Sequence, residues 1–157
     1  MIDLDLDEQI LDTLLQDKLL AQRYRHMTGK PLGITGEVAE YEAARILGIQ
    51  LTRARQAGYD AIELVGQTER RLQIKGRCIL EQSKPGQRLG SIDIHKEWDA
   101  VLMVLLDGNF DAVEIHEAER AVVIARLVEP GSKSRNERGS LGVNQFKAIG
   151  HLRWKRP

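Results

Sequence analysis

At 157 residues, with 42% hydrophobic and 29% charged side chains, the chain has an ordinary globular composition and enough length to bury a core without staples, which excludes a disordered or disulfide-dependent class. Its one cysteine, Cys78, rules out an internal disulfide or a cysteine zinc cluster, and no apolar run approaches the roughly 20 residues of a membrane span. The formal net charge is +0, so the chain as a whole is neither an acidic nor a basic binder.

That neutral total hides an asymmetry. Six acids and no base lie in residues 1–17: Asp3, Asp5, Asp7, Glu8, Asp12 and Asp17. Seven bases and one acid, Glu137, lie in residues 131–157: Lys133, Arg135, Arg138, Lys147, Arg153, Lys155 and Arg156. A local basic patch can neutralise phosphates even on a neutral chain. Two blander readings are that the ends pair with each other or that the tail is a solvated surface. The acidic opening is unlike a signal or transit peptide, so the expectation is a cytoplasmic protein with no membrane partner.

In chain order, residues 7–26 read as an amphipathic helix, with Ile10, Leu11, Leu14, Leu15 and Leu19 at helical spacing. Thr28 to Pro31 break it, which suggests an extension over 1–30 and a main domain over 31–157. A second helix fits 36–48, with Thr35 as its N-cap and Gly48 as its stop. Strand signals follow at 50–55, 59–65 and 70–78, the last two joined by a turn at Gly66 to Glu69. Residues 82–91 are a polar loop. The run Ala100 to Leu106 reads as a strand covered on both faces, paired with 111–116 through a turn at Asp107 to Asn109. A helix near 117–127, a Gly/Ser-rich loop at 130–142, a short helix and a terminal strand complete an α/β chain.

The hairpin over 59–77 concentrates the chemistry. With its turn centred between Gln67 and Thr68, Asp60 falls opposite Lys75 and Ile62 opposite Gln73. Opposed residues share a face, and so do residues two apart on a strand. Asp60, Gln73 and Lys75 then converge on one patch, a result that a one-residue slip would break. A carboxylate, an amide oxygen and an ammonium suit phosphodiester chemistry with a hard divalent cation, Mg²⁺ or Mn²⁺. Taken singly, Asp60 reads as a strand-start residue and Lys75 as an exposed strand lysine.

The segments GEVAEYEAARILG, GYDAI and QIKGR resemble the helix glutamate, the strand aspartate and the (D/E/Q)xK strand of the PD-(D/E)xK nuclease superfamily. The resemblance covers roughly residues 33–127. It implies a restriction endonuclease-like core, a mixed central sheet flanked by helices, with the N-terminal helix as an addition. By it, Asp60 is the main metal ligand, Gln73 the second ligand with the Ile74 carbonyl beside it, Lys75 the catalytic lysine, and Glu37 the helix glutamate. Glu40 is a rival to Glu37. Two departures stand out: Gln73 is neutral where the family usually has an acid, and residues 79–98 leave little room for the usual helix. The expected activity is metal-dependent hydrolysis of DNA. The leucine-rich first helix is expected to pack on the core or to pair with a second copy, and double-strand cleavage would suit a homodimer.

Arg53, Arg55, Arg77, Lys84 and Arg88 could flank a phosphate path, and Lys133, Arg135 and Arg138 could reach phosphates from the 130–142 loop. His95, His116 and His151 lack zinc-ligand spacing and read as structural, as does Cys78. Trp98 and Trp154 read as core or rim, and Asp99 as a cap on the strand it precedes. Two other functions remain open. One is a nuclease fold without catalysis that binds nucleic acid or a protein. The other is a helix-turn-helix protein, with its turn at Leu47 to Ile49 and its recognition helix at 50–57.

Overall fold

The computed structural model describes residues 4–29, 32–52, 58–82 and 86–157. Among them, α1 (Leu4–Thr28) and α2 (Thr35–Leu47) precede β1 (Gln50–Leu51), β2 (Ala61–Val65), β3 (Thr68–Cys78), β4 (Ala100–Leu106) and β5 (Ala112–Glu119). Then come α3 (Arg120–Val128), α4 (Lys133–Asn136), α5 (Val143–Ile149) and β6 (His151–Lys155). The strands form one mixed sheet in the order β1-β2-β3-β4-β5-β6. Only β3 and β4 run parallel. The expected α/β class is therefore present.

Strand β4 shows why its sequence is apolar at every position. Ala100, Leu102, Val104 and Leu106 enter one core with Val38, Ala39 and Ala43 of α2 and Ala21 of α1. Val101, Met103 and Leu105 enter a second core with Val123 and Leu127 of α3 and Phe146 of α5. A strand covered on both faces cannot alternate with polar residues. The first helix is thus no free appendage, because its Ala21 is fully buried in the first core.

Charge locks α1 down as well. Glu42 of α2 is completely buried. It accepts from Lys18 of α1 at 3.3 Å, from Arg45 at 3.1 and 3.2 Å, and from the Ala112 N–H of β5 at 2.8 Å. Lys18 also donates to Asp111. One carboxylate thereby joins three elements.

Helix α2 ends as its sequence indicates: Gly48 takes φ 67° and donates to the Ala44 carbonyl, a left-handed cap that glycine adopts without strain. Its start differs. Thr35 is the first helical residue, and Ile34 occupies the cap without a side-chain bond. Helix and sheet meet closely at Gly76, where a Cβ would lie 2.5 Å from the Ala39 Cβ and 2.9 Å from the Thr35 carbonyl oxygen. Both obstacles are in or next to helix backbone and cannot swing away. Gly76→Ala is therefore expected to destabilise the fold by about 1–3 kcal/mol through overpacking, read as a lower midpoint in urea at unchanged slope.

The sheet is strongly curled. Arg153 on β6 donates to Glu63 on β2, at 3.2 Å for the Nη1–Oε1 bond, although β3, β4 and β5 lie between. Four flat strand spacings would span roughly 19 Å, well beyond two side chains. Arg70 of β3 and Glu117 of β5 complete the cluster, Arg153 reaching Glu117 at 3.2 Å.

Two expectations change. The hairpin turns at Gly66–Gln67, so Ala61 opposes Leu72 and Val65 opposes Thr68, two residues from the assumed register. The third strand candidate is longer than expected and the second shorter. The strand expected at 50–55 is present at Gln50–Leu51, paired with β2, where the helix-turn-helix alternative placed the start of a recognition helix; 53–57 lie outside the described residues. Among the described residues of 79–99 there is no helix, matching the short interval noted above.

Candidate functional site

The regular β2–β3 ladder ends at Ala61 and Leu72. The next bond runs from the Asp60 N–H to the Leu72 carbonyl at 2.8 Å, one residue out of step, so β2 bends away there. β3 continues beside β4 without β2 on its other edge, and the backbone of Ile74 faces the opening. The Asp60 carboxylate fills it, accepting from the Ile74 N–H at 2.7 Å. The two backbone groups of a strand residue face the same neighbour, so the Ile74 carbonyl looks into the same fork. Asp60 thus lies at the sheet's own level, between its faces.

Groups from both faces meet there. Gln73 and Lys75 stand beside Val101 and Met103 in register, on the side of the second core. Glu40 comes from α2 on the other side. Burial is the main cause that pushes the Glu40 carboxyl up to about 7, and the carboxylates of Asp60 and Glu37 add to it. Burial also holds the Lys75 ammonium below its ordinary range; Lys96 pushes the same way, while Asp60 and Glu40 oppose. Asp60 and Glu40 therefore both act on Lys75 across a narrow space.

Glu37 is exposed and acts on the cluster through Glu40, whereas Glu40 is half-buried beside Asp60. Three residues on from Glu37, one helical turn brings Glu40 round toward the sheet, and this is the position sequence reasoning ranked second. Gln73 is buried, and its Nε2 donates to the Gly58 carbonyl at 2.8 Å. That bond fixes the amide, leaving Oε1 buried with no partner. An orphaned acceptor in a buried setting calls for a donor or a cation. A carboxyl whose charge is disfavoured first by burial and then by neighbouring carboxylates is relieved by a cation too. These two features fit a hard divalent ion held by Asp60, Glu40, Gln73 Oε1, the Ile74 carbonyl and water. Among the described residues, no three His, Cys, Asp or Glu side chains converge to hold a metal by themselves, so such a site would depend on the amide, the carbonyl and water.

The proposed phosphate-path cations divide. Arg77 donates to the Arg88 carbonyl, and Arg88 donates to Ser140 Oγ at 3.1 Å. Arg135 is buried and donates to the Glu129 and Pro130 carbonyls at 2.7 and 3.1 Å. These three guanidinium groups tie loops together. Lys133 and Arg138 are exposed, Lys133 with Glu137 at 3.9 Å, and Lys84, Arg53 and Arg55 lie outside the described residues. Ion pairs also hold much of the basic tail: Lys147 with Glu114 at 3.1 Å, Arg156 with Asp107 at 2.7 Å, and Arg153 as above. Charge counted along the chain overstated the free basic surface.

Three of the remaining candidates have structural partners. His116 bonds Glu114 at 2.7 Å in a buried position, and Trp98 lies in the second core. Asp99 accepts from the Arg71 N–H at 2.7 Å, anchoring β3 at the start of β4. Comparison of the sequence with protein-family models and with curated proteins gives no match.

Proposed function

We propose that this chain is a metal-dependent nuclease with a restriction endonuclease-like core, hydrolysing phosphodiester bonds in DNA. The observation that carries the reading is the strand fork: Asp60 reaches into it from β2, while Lys75 and Glu40 approach from opposite faces. A bound Mg²⁺ or Mn²⁺ would supply an activated water and neutralise charge on the phosphate. Asp60, Glu40, Gln73 and the Ile74 carbonyl would hold it. Lys75 would orient that water and stabilise the charge that develops on the phosphoryl oxygens. A lysine whose positive charge is already destabilised by burial gains most when an anion arrives.

A specific observation favours a second reading, a nuclease fold that binds nucleic acid or a partner without cleaving. Gln73 is neutral and half its amide is committed to Gly58, so the site has one charge fewer than a two-acid site. A homodimer is compatible with either reading, since Leu19, Leu20 and Met27 of α1 are exposed. Among the described residues no helix is long and apolar enough to cross a membrane.

Incubating supercoiled plasmid and branched DNA with the protein and Mg²⁺ or Mn²⁺ separates these readings. Nicking that chelator abolishes supports the first; tight binding with no nicking supports the second. The site also makes a pH prediction. Glu40 is protonated below about 7 and charged above it, so Mn²⁺ affinity should rise between pH 6 and pH 8. The Glu40→Gln variant should lose that rise. Titration calorimetry at the two pH values checks it, and equal slopes in both proteins would remove Glu40 from the metal site.

A further inference from the structure

The segment between β3 and β4 lacks a helix, yet it is firmly built. Trp98 is buried and its Nε1–H donates to the Asp93 carbonyl at 2.9 Å. The Arg120 guanidinium lies 4.5 Å over the Trp98 ring. It donates to three carbonyls of the same loop: Ile94 at 2.8 Å, Lys96 at 2.9 Å and Trp98 at 3.0 Å. Asp93 closes a further turn by accepting from the His95 N–H at 2.9 Å. One arginine from α3 thus fixes the backbone over 93–98.

This fixed loop is pressed against the segment that leads into the fork. Gly58, two residues before Asp60, has φ 102°, and a Cβ there would lie 2.4 Å from the Lys96 Cβ and 3.1 Å from the Glu97 backbone nitrogen. Gly90 of the same connection approaches the Lys75 side chain, at 4.0 Å from a Cβ position to Cδ. The exposed Lys96 side chain therefore starts at the edge of the site, and its charge is close enough to act on Lys75. Among the described residues no carboxylate pairs with its ammonium. Two ammonium groups held near each other repel, and an anion between them turns that repulsion into attraction.

We propose that Lys96, carried on the loop that Arg120 clamps to Trp98, is a substrate-positioning residue that binds a backbone phosphate of the nucleic acid next to the Asp60–Lys75 centre. The inference rests on the nuclease-fold reading above, since it needs nucleic acid at that site. An ordinary surface lysine would be solvated on a mobile chain; here the backbone is pinned by three bonds to one guanidinium. A pinned loop loses little entropy when its side chain engages a ligand.

The test is anisotropy with a labelled 30-nucleotide single strand and its duplex, in Ca²⁺ across a salt series. Wild type is compared with Lys96→Ala, Lys96→Arg and Lys155→Ala, the last an exposed lysine with no ion pair among the described residues. Alanine keeps the Cβ that packs on Gly58, so the thermal midpoint should not move. Losing one phosphate contact should weaken binding roughly tenfold and lower the log–log salt slope by about one. Lys96→Arg should restore both, and Lys155→Ala should change neither. Wild-type affinity and slope in Lys96→Ala would overturn the inference alone. Absence of binding by the wild type to either DNA would overturn the reading beneath it, and the inference with it.

Discussion

Replacing Asp60 by asparagine is expected to abolish Mn²⁺ binding and to lower plasmid cleavage by about a hundredfold or more, the scale on which losing one group that stabilises developing charge acts. The substitution is chosen for its fold. Asp60 does more than offer charge: its carboxylate accepts from the Ile74 N–H at 2.7 Å where β2 leaves β3. Alanine would leave that N–H without a partner, costing about 1–3 kcal/mol and mixing a folding defect with a chemical one. Asparagine keeps an accepting oxygen and removes the charge. Lys75→Met completes the pair. It should leave Mn²⁺ binding in place and remove cleavage, because the role proposed for the lysine is on the water and the phosphate and not as a ligand. Equal Mn²⁺ binding by wild type and Asp60→Asn in calorimetry would refute a metal site at the fork.

The largest effect on stability is expected at Glu42. Glu42→Ala would leave Lys18, which is itself buried, with Asp111 as its one remaining carboxylate partner among the described residues, and would orphan the Ala112 N–H. Removing one partner of a buried charge pair costs about 3–5 kcal/mol. For a chain of this size that is roughly a 10 °C fall in melting temperature. The same residue predicts acid sensitivity. Burial pushes the Glu42 carboxyl up, but bonds from Arg45 and Ala112 and the charge of Lys18 prevail and hold it below its ordinary range. A depressed carboxyl adds stability above its unfolded pKa and withdraws it as pH falls through the folded one. Scanning calorimetry from pH 7 down to pH 3 should show a steeper loss for wild type than for Glu42→Gln. A melting temperature within 2 °C of wild type for Glu42→Ala would show that α1 is not held by this carboxylate.

Much of the architecture was readable because its signals are local. The Ala100 to Leu106 run announced a two-sided strand, and Gly48 announced the end of α2. Charge-carrying residues were harder. The hairpin register was two residues off, since the turn lies at Gly66–Gln67 and no local rule chose it over Gln67–Thr68. The Asp60 charge nonetheless acts on Lys75, from a bend that the alternation rule does not contain. Glu40 was legible as a rival of Glu37, but only the closeness of α2 to β3 at Gly76 decides which one faces the sheet. Lys96 gave no sequence signal. Its place depends on Arg120 and Trp98, separated by 22 residues and joined by a ring contact. Arg77, Arg88 and Arg135 show the converse: exposed arginines in a charge count, loop ties in three dimensions.

The strand order has a consequence for how the chain acquires its shape. Every strand lies next to its predecessor, from β1 through β6. Among the described strands none waits for a later one to be inserted beside it, so each can form on an edge that already exists. Loop-closure costs are then met a little at a time, which favours rapid, stepwise assembly over a single distant search. The bond between Glu63 and Arg153, 90 positions apart, joins strands that are not neighbours in the sheet. It can form only when β6 has docked, so an environment-sensitive probe at that cluster would report the final step of folding, while a probe at Gly66 would report an early one.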